Sequence, residues 1–172
     1  MANNRVLVSD PISELGVELL NAYPDITADF KIGLSPEELI AIIGDYDALV
    51  VRSQTKVTAE VLAAATKLKA VGRAGVGVDN IDRDAANAHG VIVMNTPTGN
   101  TISTAEHAFT LMLSCARNIA PAHAEVLKGN FAAARKAYQG IELNTKRLAV
   151  IGMGRIGGEV AKRAQAFGMR VL

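Results

Sequence analysis

Glycines at 152, 154 and 157 form the pattern Gly-x-Gly-x-x-Gly directly after a short apolar run at 148–151. That order reads as strand, tight turn and helix, and the chemistry of such a turn is pyrophosphate binding. The first glycine permits the bend, the second lets an anion approach the main chain, and the third lets the helix pack on the strand. Arg155 and Ile156, between the glycines, would present N–H groups at the positive end of that helix. Residues 158–167 continue as a helical pattern with Val160, Ala161, Ala164 and Phe167 on one side, Gly168 ends it, and 169–172 begin another apolar run. This is the start of a βαβ unit. The acidic residue that holds the adenosine ribose stands about 20 positions after the glycines, at or past Leu172, so NAD and NADP are not distinguished.

Two further groups suit anions. Arg52 directly follows an apolar strand pattern at 48–51, which puts it at the carboxyl edge of a sheet. It reads either as a surface arginine or as a guanidinium pairing with a carboxylate or phosphate, with Ser53 beside it. Arg73 follows the next strand in the same way, and Gly75-Val76-Gly77 behind it can offer consecutive N–H groups as a backbone nest. Asp79 reads as a turn residue or helix cap. Glu106 and His107 are adjacent on a helix and so point apart; Glu106 is expected as a capping partner and His107 as a packed or interface histidine. His89 and His123 are expected on the surface. The one cysteine, Cys115, excludes an internal disulfide and is expected as a buried, inert thiol. No metal-ligand spacing is present, and no acid–base couple is visible.

These groups need a scaffold. Strand patterns at 5–9, 26–30, 48–51, 68–73 and 91–94 alternate with helical ones. The first helix starts at Asp10-Pro11 and carries Leu15, Leu19 and Leu20 on one face; the second has Ser35 as cap, Pro36 in its first turn and Glu38 closing a capping box, with Leu39, Ile42 and Ile43 inward. Thr58 caps the third, and 82–89 form a fourth, stopped by Gly90. Five alternations imply a parallel sheet with helices on both faces and binding loops after the strands. A turn-rich joint, NTPTGNT, precedes the longest helical pattern, 103–118, with Ser103 and Glu106 at capping-box spacing. Its apolar residues run nearly all round, which predicts burial on more than one side and a dimer through this helix. Pro121 is expected to break it, and 122–140 read as helical.

A 172-residue chain with 49% apolar residues and a formal charge of +1 can bury a core. Its scattered Lys and Arg leave no stripe for nucleic acid and no basic amphipathic helix for a membrane surface. With no signal-peptide pattern and no apolar run of spanning length, a cytoplasmic protein is expected.

Four segments, VRSQTKVT at 51–58, GRAGVGVDNID at 72–82, NTPTGNTISTAEHAFTLML at 95–113 and IGMGRIGGEVAKRAQAFGMRV at 151–171, resemble the D-isomer-specific 2-hydroxyacid dehydrogenases. The resemblance implies a flavodoxin-like substrate-binding domain at 1–98, followed at 99–172 by the start of a Rossmann NAD-binding domain. It implies an oxidoreductase using NAD on a small anionic 2-hydroxyacid, and a homodimer or homotetramer. Carried over by position, Arg52, Ser53, Arg73, Gly75, Val76, Gly77 and Asn100 would bind substrate. Val76 would also border the nicotinamide, and Gly152, Gly154, Arg155, Ile156 and Gly157 would hold the pyrophosphate. Around 131–140 the chain departs from the family's spacing, which leaves Arg135 a weak candidate for an anion contact. The family's catalytic arginine, glutamate and histidine come after the first Rossmann unit, so none falls on a residue here. Alternatives are a glyoxylate or hydroxypyruvate reductase and a non-catalytic, NAD-sensing corepressor-like module.

Overall fold

The computed structural model describes residues 4–172 and divides into two compact units, one ending at Gly99 and the other spanning Asn100–Leu172.

In the first unit β1 (Asn4–Val8), β2 (Ile26–Phe30), β3 (Ala48–Val51), β4 (Ala70–Arg73) and β5 (Ile92–Asn95) pair in parallel in the order β2-β1-β3-β4-β5. This is the flavodoxin-like order, whose direction reverses between β1 and β3. Because crossovers are right-handed, the helix of the leftward step lies on one face and those of the rightward steps on the other. Accordingly α2 (Pro36–Ile43), α3 (Ala59–Ala64) and α4 (Arg83–Ala88) share one core with the sheet: Leu39, Ile43, Val61, Leu62 and Ala86 are buried with Leu7, Leu49, Val51 and Val71.

Among the described helices of the first unit α1 (Glu14–Asn21) is the one on the opposite face, so both faces carry helix as expected. Val6 and Val8 are buried on that side, whereas Ile92 and Met94, in register with them across the sheet, are 63% and 53% exposed. The expectation for α1 needs correction on two counts. It starts at Glu14, capped by Ser13 and not by Asp10-Pro11, and its expected apolar face is open, with Leu15 and Leu19 exposed. The other caps form as the residue types dictate: Ser35 and Glu38 make a full capping box, and Thr58 and Asp82 accept from the third residue of their helices.

The second unit packs α5 (Thr101–Ala116) on α8 (Arg155–Ala166) around Phe109, Leu143, Ala164 and Met169, with the Phe109 and Phe167 rings 4.9 Å apart. A two-stranded parallel sheet, β6 (Arg147–Leu148) and β7 (Arg170–Val171), runs beside them. The predicted strand at 148–151 is shorter, although the ladder reaches Val150, whose N–H donates to Leu172 O.

Several expectations for α5 give way here. It begins at Asn100 without a side-chain cap; Ser103 Oγ donates to Asn100 O, and Glu106 pairs with Arg163, so no capping box forms. Within this chain only Ala105 and Phe109 of α5 are buried, and Cys115 and His107 are exposed rather than packed. The break falls at Asn118, which takes a left-handed φ of 52°, while Pro121 sits in the first turn of α6 (Ile119–Leu127), where no intrahelical N–H is needed. A second break then separates α7 (Phe131–Ala137) from α6.

Candidate functional site

The carboxyl edge of the first sheet is organised by two buried polar side chains that sequence reasoning passed over. Asp10 follows β1 and is 1% exposed. Its carboxylate accepts the N–H of Arg52 at 2.7 Å, of Gln54 at 3.2 Å and of Thr55 at 3.1 Å, and the Thr55 hydroxyl at 2.6 Å. Burial pushes this carboxyl up, but the hydrogen bonds from Thr55, Arg52 and Gln54 outweigh it and hold Asp10 below its ordinary value. From the other side Asn80, 5% exposed, donates Nδ2 to the carbonyls of Arg52 (2.9 Å) and Thr55 (2.7 Å). The signal for both was positional: each flanks the loop after β3 at the point where strand order reverses.

Between these clamps the loop presents Arg52 and Ser53 to solvent. Among the described residues the Arg52 guanidinium reaches only Pro11 O, at 3.3 Å, and it lines a cavity of about 690 Å³ together with Ile12, Leu19, Val50 and Ala74. Arg73 sits with its side chain 11% exposed, Nε donating to Arg52 O (3.0 Å) and Nη1 to Asp79 (2.5 Å). That cation holds the Asp79 carboxyl below its ordinary value. Asp79 lies in the turn closed by Ile81 N–H on Val78 O, as expected, and is also an ion-pair partner; the cap of α4 is Asp82.

The next loop follows directly. Gly75 N–H donates to Arg73 O, Thr96 N–H to Gly75 O, and Asn95 Nδ2 to Val76 O at 2.6 Å. Among the described residues this leaves the N–H groups of Val76 and Gly77 without an acceptor. A side chain at Gly77 would meet Asp79 Oδ1 at 2.8 Å and Arg73 Nη1 at 3.0 Å, so the ion pair lies against the glycine backbone. The edge thus combines one open guanidinium, two open amides and a second cation beneath them, an arrangement that favours a small anion.

In the second unit the glycine turn has the geometry its spacing predicts. Gly152 takes φ +99°, which L side chains rarely adopt; a Cβ at Gly157 would overlap Gly152 O; and around Gly154 a Cβ would meet nothing within 4 Å. Arg155 and Ile156 form the first turn of α8, whose N-terminus opens on that space, while Gly158 N–H makes the first helical bond, to Gly154 O. The turn is closed where helix meets strand and open where an anion would approach the main chain, so a pyrophosphate fits it.

Asn100 lies at the start of α5 with its side chain making no cap bond. Arg135 is on α7 in the second unit, whereas Arg52 follows β3 in the first. Among the described residues no three His, Cys, Asp or Glu side chains gather as metal ligands, and no helix is long and apolar enough to cross a membrane.

Comparison with known proteins bears on these sites. The profile of the D-isomer specific 2-hydroxyacid dehydrogenase catalytic domain matches residues 6–165. The chain is 53% identical over 168 residues to a D-3-phosphoglycerate dehydrogenase of Archaeoglobus fulgidus, covering 98% of this chain and 31% of that protein. The structure matches an NAD+-bound 3-phosphoglycerate dehydrogenase of Entamoeba histolytica with a TM-score of 0.77 at 29% identity, covering 99% of this chain and 53% of that one. It matches a glyoxylate reductase of Paecilomyces thermophila with a TM-score of 0.85 at 28% identity, covering 99% and 55%. The chain therefore spans about a third of the length of the curated relatives it matches.

Proposed function

The chain belongs to the D-isomer-specific 2-hydroxyacid dehydrogenase family, and we propose that it supplies the substrate and pyrophosphate seats of an enzyme oxidising D-3-phosphoglycerate to 3-phosphohydroxypyruvate with NAD, the first step of L-serine biosynthesis. The observation that carries this reading is the Gly152–Gly157 turn, sterically closed at Gly157 and open at Gly154. The name borne by the Archaeoglobus relative supports the substrate.

In this reading residues 1–98 form the substrate-binding domain and 99–172 begin the NAD-binding domain. NAD, when bound, supplies the hydride acceptor. The chain's own residues bind and orient. Gly152, Gly154 and Gly157 with the N–H groups of Arg155 and Ile156 hold the pyrophosphate. Val76 borders the nicotinamide, and the amides of Val76 and Gly77 hold the substrate carboxylate, while Gly75, whose N–H is turned back to Arg73 O, shapes the loop that presents them. Arg52 and Ser53 take an anionic group of the substrate, Arg73 holds the Arg52 carbonyl and adds positive charge, and Asn100 contributes its open side chain. No residue in this chain is assigned as the acid–base catalyst; the hydroxyl proton is taken by groups that the family carries further along the sequence. In this reading the enzyme works in the cytoplasm, and it assembles as a homodimer or homotetramer, the assembly being supported by Ile102 and Leu111, which are half exposed on α5.

A second reading, reduction of glyoxylate or hydroxypyruvate, draws on the likeness to the glyoxylate reductase. A panel of 2-hydroxyacids with NAD and NADP, followed by NADH or NADPH absorbance on the whole gene product, separates them. D-3-Phosphoglycerate with NAD is expected to give the highest kcat/KM. Silence with every 2-hydroxyacid by a folded, NAD-binding protein would overturn the enzyme reading in favour of a non-catalytic NAD sensor.

A further inference from the structure

The Asn80 side chain contains a contradiction that structure alone does not require. It is 5% exposed, and its Oδ1 has no hydrogen-bond partner among the described residues. Burying an acceptor unpaired is destabilising, so the rest of the side chain must offset it. It supplies two donors: one Nδ2 group bonds the carbonyls of Arg52 and Thr55 together, at 2.9 and 2.7 Å. An amide is the neutral side chain of this size that offers two N–H bonds from one atom; aspartate offers none and serine one.

The same residue ties the two loops of the carboxyl edge. Asn80 O accepts Val57 N–H at 2.8 Å, Asp82 N–H returns to Val57 O at 2.9 Å, and Val57 and Ile81 form a parallel bridge. Asn80 stands three residues after Gly77, whose backbone lies against the Arg73–Asp79 pair, and Arg73 Nε bonds the very carbonyl that Asn80 holds. The Arg52 main chain is thereby fixed on its carbonyl side by a residue of the neighbouring loop.

We infer that Asn80 is a positioning residue: it sets the spacing between the Arg52 guanidinium and the Val76–Gly77 amides, and so the spacing at which two anionic groups of one substrate are held. This rests on the substrate site proposed above. Asn80 touches no ligand in this account and acts through Arg52.

The test is steady-state kinetics of the whole gene product with D-3-phosphoglycerate and NAD for Asn80→Ala, Asn80→Asp, Arg52→Ala and the Arg52→Ala/Asn80→Ala double variant. Misplacing a binding group by about an ångström lowers efficiency by up to roughly 100-fold. Asn80→Ala is expected to raise KM for D-3-phosphoglycerate by roughly 10-fold or more while KM for NAD stays within about 2-fold. Asn80→Asp, of the same shape but acceptor-only, should do at least as much. If Asn80 acts through Arg52, adding Asn80→Ala to Arg52→Ala should raise KM by less than about 2-fold further. An unchanged KM in Asn80→Ala, or its full factor recovered on top of Arg52→Ala, overturns the inference. An Arg52→Ala variant with normal KM would instead overturn the substrate site itself. Should Asn80→Ala fail to fold, Asn80→Ser, which keeps one donor, is read by the same split of KM values.

Discussion

Replacing Asp10 tests whether the Arg52 loop owes its shape to one buried carboxylate. Asp10→Ala removes the acceptor for three backbone N–H groups and the Thr55 hydroxyl at once. Hydrogen bonds to a charged group contribute about 1.5–3 kcal/mol each, but those sharing one carboxylate are not additive. Exposed loop amides also recover water once the clamp is gone. A loss of roughly 3 kcal/mol is therefore expected, equivalent to a fall in Tm of about 10–20 °C for a unit of this size. Asp10→Asn should recover little of it, because its amide NH₂ would face N–H donors. Acid weakens the same clamp. The folded-state pKa of Asp10 is lowered, so its contribution is complete above the unfolded value, about pH 4, and is lost as pH falls through the folded one. Urea titrations of wild type and Asp10→Asn at a series of pH values measure this directly. The two stability curves should converge as pH drops below about 4. A difference under about 0.5 kcal/mol at neutral pH, as for an ordinary surface change, or curves that stay parallel into acid, would refute the reasoning.

Other expectations follow from the same geometry. Gly157→Ala would drive a Cβ into Gly152 O and should unfold the turn, abolishing NAD binding and lowering Tm, whereas Gly154→Ala enters open space. That variant should keep Tm within about 1–2 °C, its helix-end position lying outside the packed core, and weaken NAD binding roughly 10-fold by blocking approach to the main chain. Gly77→Ala meets Asp79 Oδ1 at 2.8 Å and Arg73 Nη1 at 3.0 Å; it should raise KM for the anionic substrate with little change in KM for NAD. Arg52→Ala should raise KM for D-3-phosphoglycerate more than Arg135→Ala does, and equal effects would count against the ranking. Arg163 joins Glu106 on α5 to Glu159 on α8 through solvent-screened charges, so Arg163→Ala should move the urea midpoint only slightly, and less still at high salt.

Much of the fold was legible because its signals are local. The strand at 26–30 and the caps Ser35 and Thr58 follow from residue type and spacing, and the structure realises them. What was not legible depended on partners. Helical spacing groups Leu15 and Leu19 on one face of α1, yet both are exposed, with no other described helix of the first unit on that side of the sheet. The all-round apolar pattern of α5 states a demand for burial that this chain meets only at Ala105 and Phe109, which is why Cys115 and His107 are open. Asn118 was missed because a left-handed asparagine breaks a helix as well as a proline does, while Pro121 three residues on is compatible with a helix start. At the candidate site, Arg52, Gly75, Gly77 and the glycine turn announce themselves by type. Asp10 and Asn80 do not, since what they do depends on three chain segments meeting at one sheet edge.

The most direct test of the whole reading is a backbone amide NMR titration of this 172-residue chain, first with NAD and then with D-3-phosphoglycerate. The account predicts two separate sets of shifts: Gly152 to Gly157 moving with NAD, and Ser53 with Gly75, Val76 and Gly77 moving with the phosphoglycerate. Saturation by either ligand with those amides unmoved, or one shared set of shifts elsewhere in the chain, would contradict it.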